Sequence, residues 1–459
     1  MKNQEFIKNK SIFILGLGKS GLAAAVLYSK LGAQVFAHDS KDLSGSEAEA
    51  ELLNHQVKIL SQKEAETIME SGIDFIVKSP GIPYHHPLIQ QAEQLNKKVY
   101  TDIEIAYHLS QAPIIGITGT NGKTTVTTLL GDMLNHFSQK AYISGNIGIP
   151  VSEVVPKLTD KDSFIMELSS FQLLGTENFK PEIAVITNLY TAHLDYHGSR
   201  EDYVVAKLKL LANQSPTDFF VYNADSDELS QLARLNPAQG IPFSAQEILD
   251  SGCYIKESDL YYDEEKIMDV EDILIPGQHN LENVCAAVAV AKLLEIDNAS
   301  IIQTLTTFSG IKHRLQYVSQ FEERKFYNDS KATNVLAASQ ALKSFDKPIL
   351  WICGGLDRKE DLSSLLPLVK DHVKGLIACG ENKSDFIELG QAAALPFVMS
   401  CDNLEEAVKS AFKWSEEEDI ILLSPASASW DQYENFEIRG NAFIDAVMKL
   451  SQREKNEEV

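Results

Sequence analysis

The sequence predicts a three-domain α/β protein, and three observations predict it. At 459 residues the chain exceeds what one hydrophobic core supports, and about three domains is the natural division. Short apolar runs of strand length alternate with helical patterns along most of the chain, the order that builds parallel sheets covered by helices. A strand, a glycine-bearing turn and a helix start recur in each third, at Gly16–Gly21, Gly119–Thr124 and Gly354–Gly355. The expected domains are residues 1–109, 110–310 and 311–459.

Composition narrows the class. Charged residues make up 23% and hydrophobic ones 44%, the balance of a globular protein rather than a disordered one. The net charge of −24, from 41 basic and 65 acidic residues, argues against a nucleic-acid partner, which needs a basic surface. Phosphates must then be bound by local devices: helix N-termini, a divalent cation and a few placed Lys or Arg. The five cysteines (Cys253, Cys285, Cys353, Cys379, Cys401) include no C-x-x-C pair and read as small buried residues in a reducing cytosol. Residues 1–10 lack a signal-peptide pattern, and no apolar run is long enough to span a membrane, so a cytoplasmic protein with no membrane insertion is expected.

In the first third, the strand Ser11–Leu15 leads into Gly16-x-Gly18-x-x-Gly21 and a helix from Leu22 to Leu31. A second strand, Gln34–Asp39, ends in an acid. This is a Rossmann-like dinucleotide fingerprint, with the acid at nearly the spacing that meets a ribose. NAD is one reading; a UDP-type diphosphate on the same turn is the other, with Lys19, Ser20, Asp39, Ser40 and Lys41 as its neighbours. The strand Asp74–Lys78 ends in Ser79-Pro80-Gly81-Ile82-Pro83, a rigid loop at a strand's carboxyl end, where α/β sheets bind ligands. Residues 97–102 read as a further strand.

The middle third opens on the strand Pro113–Ile117 and the loop Thr118-Gly119-Thr120-Asn121-Gly122-Lys123-Thr124-Thr125, followed by a helix over 126–134. Strand, glycine turn, Lys-Thr and helix make a P-loop, although the general pattern has Gly at position 117, which is Ile here. Backbone N–H groups and the helix dipole would cradle phosphates, Lys123 would reach the β/γ-phosphates, and Thr124 would meet Mg²⁺. The strand Phe164–Glu167 ends on a carboxylate, the expected Mg²⁺ partner of Thr124. His193 follows the strand Ile183–Thr187 on the same sheet edge and is a candidate second-metal ligand. On the helix expected over 200–211, Val204, Lys207, Leu208 and Leu211 share a face, so Lys207 points with apolar residues; snorkelling to water is the plain alternative. Residues 253–275 alternate as a small antiparallel sheet, with strands expected at Tyr254, Leu260 and Asp272–Ile275. Asn280 and Asn283 open the helix 281–294, able to meet a nucleotide base.

The last third repeats the α/β pattern. Polar groups crowd the turn Asn328-Asp329-Ser330-Lys331-Ala332-Thr333-Asn334. Pro348–Cys353 runs into Gly354-Gly355-Leu356-Asp357-Arg358-Lys359, and Asp419–Leu423 into Ser424-Pro-Ala-Ser-Ala-Ser429-Trp430. Such Gly/Ser loops at a sheet's carboxyl edge suit an anionic substrate. The charged tail 452–459 is expected to fray.

Together, Thr118–Thr125, Ser144-Gly-Asn146-Ile-Gly148, Glu167-Leu-Ser-Ser-Phe-Gln-Leu173, His193-Leu-Asp195, His279-Asn280, His313-Arg314, Asn328–Asn334 and Ser424–Ser429 resemble the Mur ligases, in that family's order and over nearly the whole chain. The first glycine fingerprint with Ser79-Pro-Gly-Ile82, and Ser429-Trp-Asp-Gln-Tyr-Glu-Asn-Phe436, resemble its D-glutamate-adding branch. The resemblance implies an N-terminal Rossmann-like UDP-binding domain, a central P-loop ATPase-type domain and a C-terminal Rossmann-like amino-acid domain. It implies ATP and two Mg²⁺, and a substrate carboxylate of UDP-N-acetylmuramoyl-L-alanine that becomes an acyl phosphate attacked by D-glutamate. Lys123, His193 and Lys207 would be catalytic, with Lys207 carbamylated. Thr124, Glu167, His193 and Lys207 would hold metal. Gly119 to Thr125, Asn280, Asn283, Arg314 and Asp329 would meet ATP. Gly18, Lys19, Ser20, Asp39, Ser40, Gly81, Asn146 and His193 would meet the UDP-substrate, and Lys331, Thr333, Arg358, Ser429 and Phe436 the D-glutamate. The family often places Lys after the double glycine; here Arg358 or Lys359 must serve, and spacing favours Arg358. A monomer acting on small molecules is expected. The rival readings are a sister ligase for another amino acid, an NAD-linked oxidoreductase and a non-catalytic nucleotide switch.

Overall fold

The computed structural model describes residues 1–70 and 72–457, the side chains of 453–457 excepted. Its contacts divide the chain into two compact units, Met1–Val270 with Glu282–Thr304, and Glu271–Leu281 with the chain from Leu305 on. Two sheets lie in the first unit and one in the second.

The first sheet holds β1 (Ser11–Leu15), β2 (Gln34–His38), β3 (Lys58–Ile59), β4 (Phe75–Lys78) and β5 (Lys98–Tyr100), all parallel, in the order β3-β2-β1-β4-β5. The order reverses between β1 and β4. A crevice opens at such a switch point, and both the glycine turn after β1 and the loop after β4 sit there. The chain leaves strand geometry earlier than expected after β5. Asp102 opens a helix, Asp102–Leu109, whose buried Glu104 accepts the backbone N–H groups of Glu177, Asn178 and Phe179 at 2.9–3.0 Å.

The second sheet holds β6 (Ile114–Thr118), β7 (Ala141–Gly145), β8 (Ser163–Glu167), β9 (Ile183–Ile186), β10 (Phe219–Asn223), β11 (Gln239–Ser244), β12 (Cys253–Lys256), β13 (Asp259–Tyr262) and β14 (Glu265–Asp269). Their order is β14-β13-β12-β11-β10-β9-β6-β8-β7. The antiparallel hairpins β12–β14 are present, but β12 pairs in parallel with β11, so they extend the central sheet rather than stand apart. Their third strand is Glu265–Asp269; the stretch expected as a strand from Asp272 begins on the last residue of the 3-10 turn Val270–Asp272 and forms no strand. The helix Lys123–His136 buries Val126, Leu129, Leu130, Met133 and Leu134, one helical stripe, against this sheet.

In the second unit, β15 (Gln316–Phe321), β16 (Arg324–Asn328), β17 (Ile349–Cys353), β18 (Val373–Ala378), β19 (Phe397–Ser400) and β20 (Ile420–Leu423) are ordered β15-β16-β20-β17-β18-β19, antiparallel only at β15–β16. The final helix, Phe436–Glu457, takes in residues 452–457 of the charged tail; residues 458 and 459 lie outside the described residues. All five cysteines are buried and free.

Candidate active site

β6 lies between β8 and β9, so the carboxyl ends of both neighbours flank the loop that leaves it. That loop, Gly119–Gly122, turns directly into the helix Lys123–His136. Gly119 has φ +148°, and a Cβ there would lie 1.9 Å from Thr187 Oγ1. Gly122 has φ +83°, and a Cβ there would lie 2.1 Å from Asn283 Oδ1. Only glycine fits either position. The segment after β9 braces the loop: Thr187 Oγ1 donates to the Asn121 carbonyl (2.6 Å), Asn188 Oδ1 accepts the Asn121 N–H (2.9 Å), and the Tyr203 hydroxyl donates to Thr120 Oγ1 (3.0 Å). Lys123 Nζ folds back over the loop and donates to the carbonyls of Gly119 and Thr120, each at 2.9 Å. Thr124 and Thr125 occupy the first helical turn, partly exposed.

On one flank stands Glu167, the last residue of β8 and 1% exposed. Its Oε1 accepts from Asn146 Nδ2 at 2.8 Å; its Oε2 is buried with no hydrogen-bond partner. A desolvated carboxylate oxygen left open is unfavourable alone and fits a cation. Asn146, expected at the UDP-substrate, is thus placed on Glu167. On the other flank, Lys207 projects from the helix Arg200–Leu208 and is 2% exposed. Its Nζ donates to the Gly119 carbonyl (2.7 Å) and to Thr118 Oγ1 (3.3 Å) and lies 4.8 Å from the Tyr203 ring. It does not snorkel. Burial, then the charge of Lys123, push its pKa down to about 6, with Glu167 opposing. Such an amine is neutral at pH 7 and keeps a free lone pair.

His193 is exposed and caps the short helix Leu194–His197 in a left-handed conformation, φ 53°. Its ring meets Phe171 edge-on at 5.1 Å. Among the described residues no group of three or more His, Cys, Asp or Glu is gathered as a metal cage. The expected metal set has two such side chains, Glu167 and His193, and relies on Thr124 and a modified Lys207 for the rest.

At the first sheet, Gly18 caps the helix Lys19–Lys30, and Lys19 and Ser40 are exposed while Ser20 is half-buried. Asp39 braces the turn itself: Oδ2 accepts the Leu17 N–H at 2.5 Å and Oδ1 the Lys41 N–H at 2.9 Å. Ser79 Oγ donates to the Gly16 carbonyl at 3.0 Å, tying the two loops of the switch point together. Gly81 is exposed, and an added Cβ would meet nothing within 4 Å.

In the second unit, Asp329 is buried; its Oδ1 accepts the Leu315 N–H (3.2 Å) and its Oδ2 the Ser424 hydroxyl (2.9 Å). Burial pushes its pKa up to about 7, opposed by those bonds and by Arg314 and Arg439. Lys331 Nζ lies 5.0 Å from the Phe436 ring, the Thr333 N–H donates to the Lys331 carbonyl (2.9 Å), and Ser429 is buried. Arg358 lies 4.9 Å over the Trp430 ring, whereas Lys359 pairs with Asp357. Asn280 Nδ2 donates to the Pro276 carbonyl at 2.7 Å.

Several residues of these sites escaped the sequence reading. Asn188 and Tyr203 brace the P-loop, and Arg439 is buried with Nε and Nη2 on Ser330 and Nη1 unpartnered. Arg439 stands three residues after Phe436, so helical spacing alone put it on the expected pocket's face. Nothing in the sequence marked Asn188.

Three family models cover most of the chain: "Mur ligase MurD-like, N-terminal domain" over 10–101, "Mur ligase middle domain" over 117–291 and "Mur ligase, glutamate ligase domain" over 313–427. The UDP-N-acetylmuramoylalanine–D-glutamate ligase of Lactiplantibacillus plantarum is 45% identical over 453 residues, 98% of this chain and 99% of the relative. The ligase of the same description from Listeria monocytogenes serotype 4b is 47% identical over 451 residues, again 98% and 99%. Among solved structures, a MurF ligase of Thermotoga maritima in complex with ADP shares the fold with a TM-score of 0.55 at 15% identity, over 98% of this chain and 97% of that one.

Proposed function

The chain belongs to the Mur ligase family, and from that membership we propose how its own residues divide the work. The protein is an ATP-dependent ligase of peptidoglycan-precursor synthesis that adds D-glutamate to UDP-N-acetylmuramoyl-L-alanine. Residues 1–109 take the UDP-linked substrate, 110–310 take ATP and 311–459 take D-glutamate. It acts as a cytoplasmic monomer; no described helix is long and apolar enough to cross a membrane.

The substrate carboxylate attacks the γ-phosphorus of ATP, ADP leaves, and an acyl phosphate forms. The D-glutamate amine then attacks that carbonyl, loses a proton and expels phosphate, leaving an amide. Lys123 and the N–H groups of Gly119–Thr125 stabilise charge on the transferring phosphoryl group. Thr124 and Glu167 would hold one Mg²⁺, and His193 with Lys207 a second. Bound there, Mg²⁺ would supply positive charge to the phosphoryl oxygens. The low pKa of Lys207 suits carbamylation: the neutral amine adds to CO₂ and releases a proton, so an uncharged group becomes an anion. In the last domain Arg358, held over Trp430, is favoured over Lys359 for a D-glutamate carboxylate, since Lys359 is already paired.

One observation carries the catalytic assignment. The strand order β9-β6-β8 brings Glu167 and the 187–193 segment to opposite sides of the P-loop, with Lys207 hydrogen-bonded into the loop itself. The test is phosphate release from ATP and Mg²⁺ with UDP-N-acetylmuramoyl-L-alanine, comparing D-glutamate, L-glutamate, D-alanine and L-alanine. Release is expected only with both the UDP-sugar and D-glutamate. Release with another amino acid would move the reading to a sister ligase, and none with any pair would overturn it.

A further inference from the structure

We propose that Lys78 and Tyr196 form a latch that holds the Ser79–Pro83 loop against the segment carrying His193, and that this latch sets the affinity for the UDP-linked substrate. Lys78 ends β4 and is 1% exposed, an unusual place for a lysine. Among the described residues it has no carboxylate within ion-pair distance; Asp102 acts on it only from farther away. Its Nζ instead donates to the Ile82 carbonyl at 2.9 Å, faces the Pro80 carbonyl at 3.5 Å and lies 4.5 Å from the Tyr84 ring. The cation is therefore spent on the backbone of the very loop that follows it.

The same Ile82 carbonyl accepts a second bond, from the Tyr196 hydroxyl at 3.3 Å. A carbonyl oxygen has two lone pairs and can take both donors. Tyr196 lies on the short helix Leu194–His197, three residues after His193. Its ring meets Phe171 edge-on at 4.4 Å, and Phe171 also packs His193 at 5.1 Å. One backbone oxygen thus joins the first sheet's switch-point loop to the His193 segment of the second sheet. Gly81 lies between the two carbonyls that Lys78 faces and presents its open side to solvent. Both groups are positioning residues, acting through the loop. The proposal rests on the reading that this loop touches the UDP-linked substrate.

The experiment is steady-state kinetics with UDP-N-acetylmuramoyl-L-alanine, ATP and D-glutamate on Lys78→Met, Lys78→Gln, Tyr196→Phe, Lys78→Met with Tyr196→Phe, and Gly81→Val. Lys78→Met should raise KM for the UDP-sugar about tenfold and Tyr196→Phe about threefold, since they lose a charged and a neutral donor respectively. KM for ATP and kcat should hold. Lys78→Gln, which keeps an N–H donor, should recover part of the loss. The double variant should fall short of the product of the singles, because both act on one carbonyl. Tyr196→Phe is half-buried and keeps the ring, so it tests the latch even if Lys78→Met folds poorly. Gly81→Val separates the two readings. If it alone raises the UDP-sugar KM, the loop binds substrate and the latch is wrong. If none of the five moves that KM, the binding reading itself falls. Equal losses in kcat and in all three KM values would mark Lys78 as a core residue only.

Discussion

The Lys207 amine donates to the Gly119 carbonyl at 2.7 Å, so a lysine from a helix three strands later in the chain is built into the P-loop. A charged ammonium there would stand against the like charge of Lys123 with little water to screen it. The surroundings resolve the conflict by discharging Lys207, whose pKa falls to about 6. A neutral buried amine is what addition to CO₂ requires.

Lys207→Ala should lower kcat about a thousandfold, the scale of losing a charge-stabilising group at a reacting centre. A short carboxylic acid such as acetate should restore part of the activity by supplying the missing anion. Activity unchanged by the substitution would reject the role, and absence of any rescue would argue for the bare amine.

Stability should move the other way. The folded pKa of about 6 lies below the ordinary 10.5, so between those values the unfolded chain binds one more proton than the folded one. The buried amine therefore destabilises the fold most below pH 6, and the cost fades as pH rises towards 10.5. Lys207→Met should melt several degrees above the parent at pH 7, with the gap closing at alkaline pH. Calorimetry over that range checks it; parallel melting curves would mean that Lys207 is charged in the fold.

Glu167→Gln keeps the bond from Asn146 and removes the charge behind the open Oε2. Activity should fall about a hundredfold, and the Mg²⁺ concentration for half-maximal rate should rise. A lower rate at an unchanged Mg²⁺ requirement would separate Glu167 from the metal.

Gly119→Ala would place a methyl 1.9 Å from Thr187 Oγ1, at a φ that L-residues rarely adopt. The loop must shift, so KM for ATP should rise at least about tenfold, with a stability loss of about 1–3 kcal/mol. Isothermal titration with ADP measures the first effect and thermal melting the second. Wild-type ADP affinity would show that this loop does not hold the nucleotide.

Arg358→Ala should raise KM for D-glutamate about tenfold, while Lys359→Ala, which only frees Asp357, should change it little. The reverse ranking would move the carboxylate contact to Lys359.

The sequence by itself determined the elements and much of the chemistry. Ser11–Leu15 is a strand as read, Glu167 ends one, and Lys207 shares its helical face with apolar residues, because period and turn residues are local signals. It overran at the ends: Asp102 opens a helix where a strand was expected, and the 200–211 helix stops at Leu208, since helix and strand ends depend on tertiary hydrogen bonds. It missed polar helices such as Glu47–Asn54, which buries only Leu52, and Pro87–Gln94, which buries only Leu88, Ile89 and Ala92. Only the tertiary structure decided that β6 lies between β8 and β9, because strand order is set by packing over long sequence distances. From that order follow the contacts no spacing encodes: Asn188 on the loop of Asn121, Asn146 on Glu167, and Lys78 and Tyr196 on one carbonyl. So too does the charge state of Lys207, which is a property of the burial that folding imposes and not of the residue.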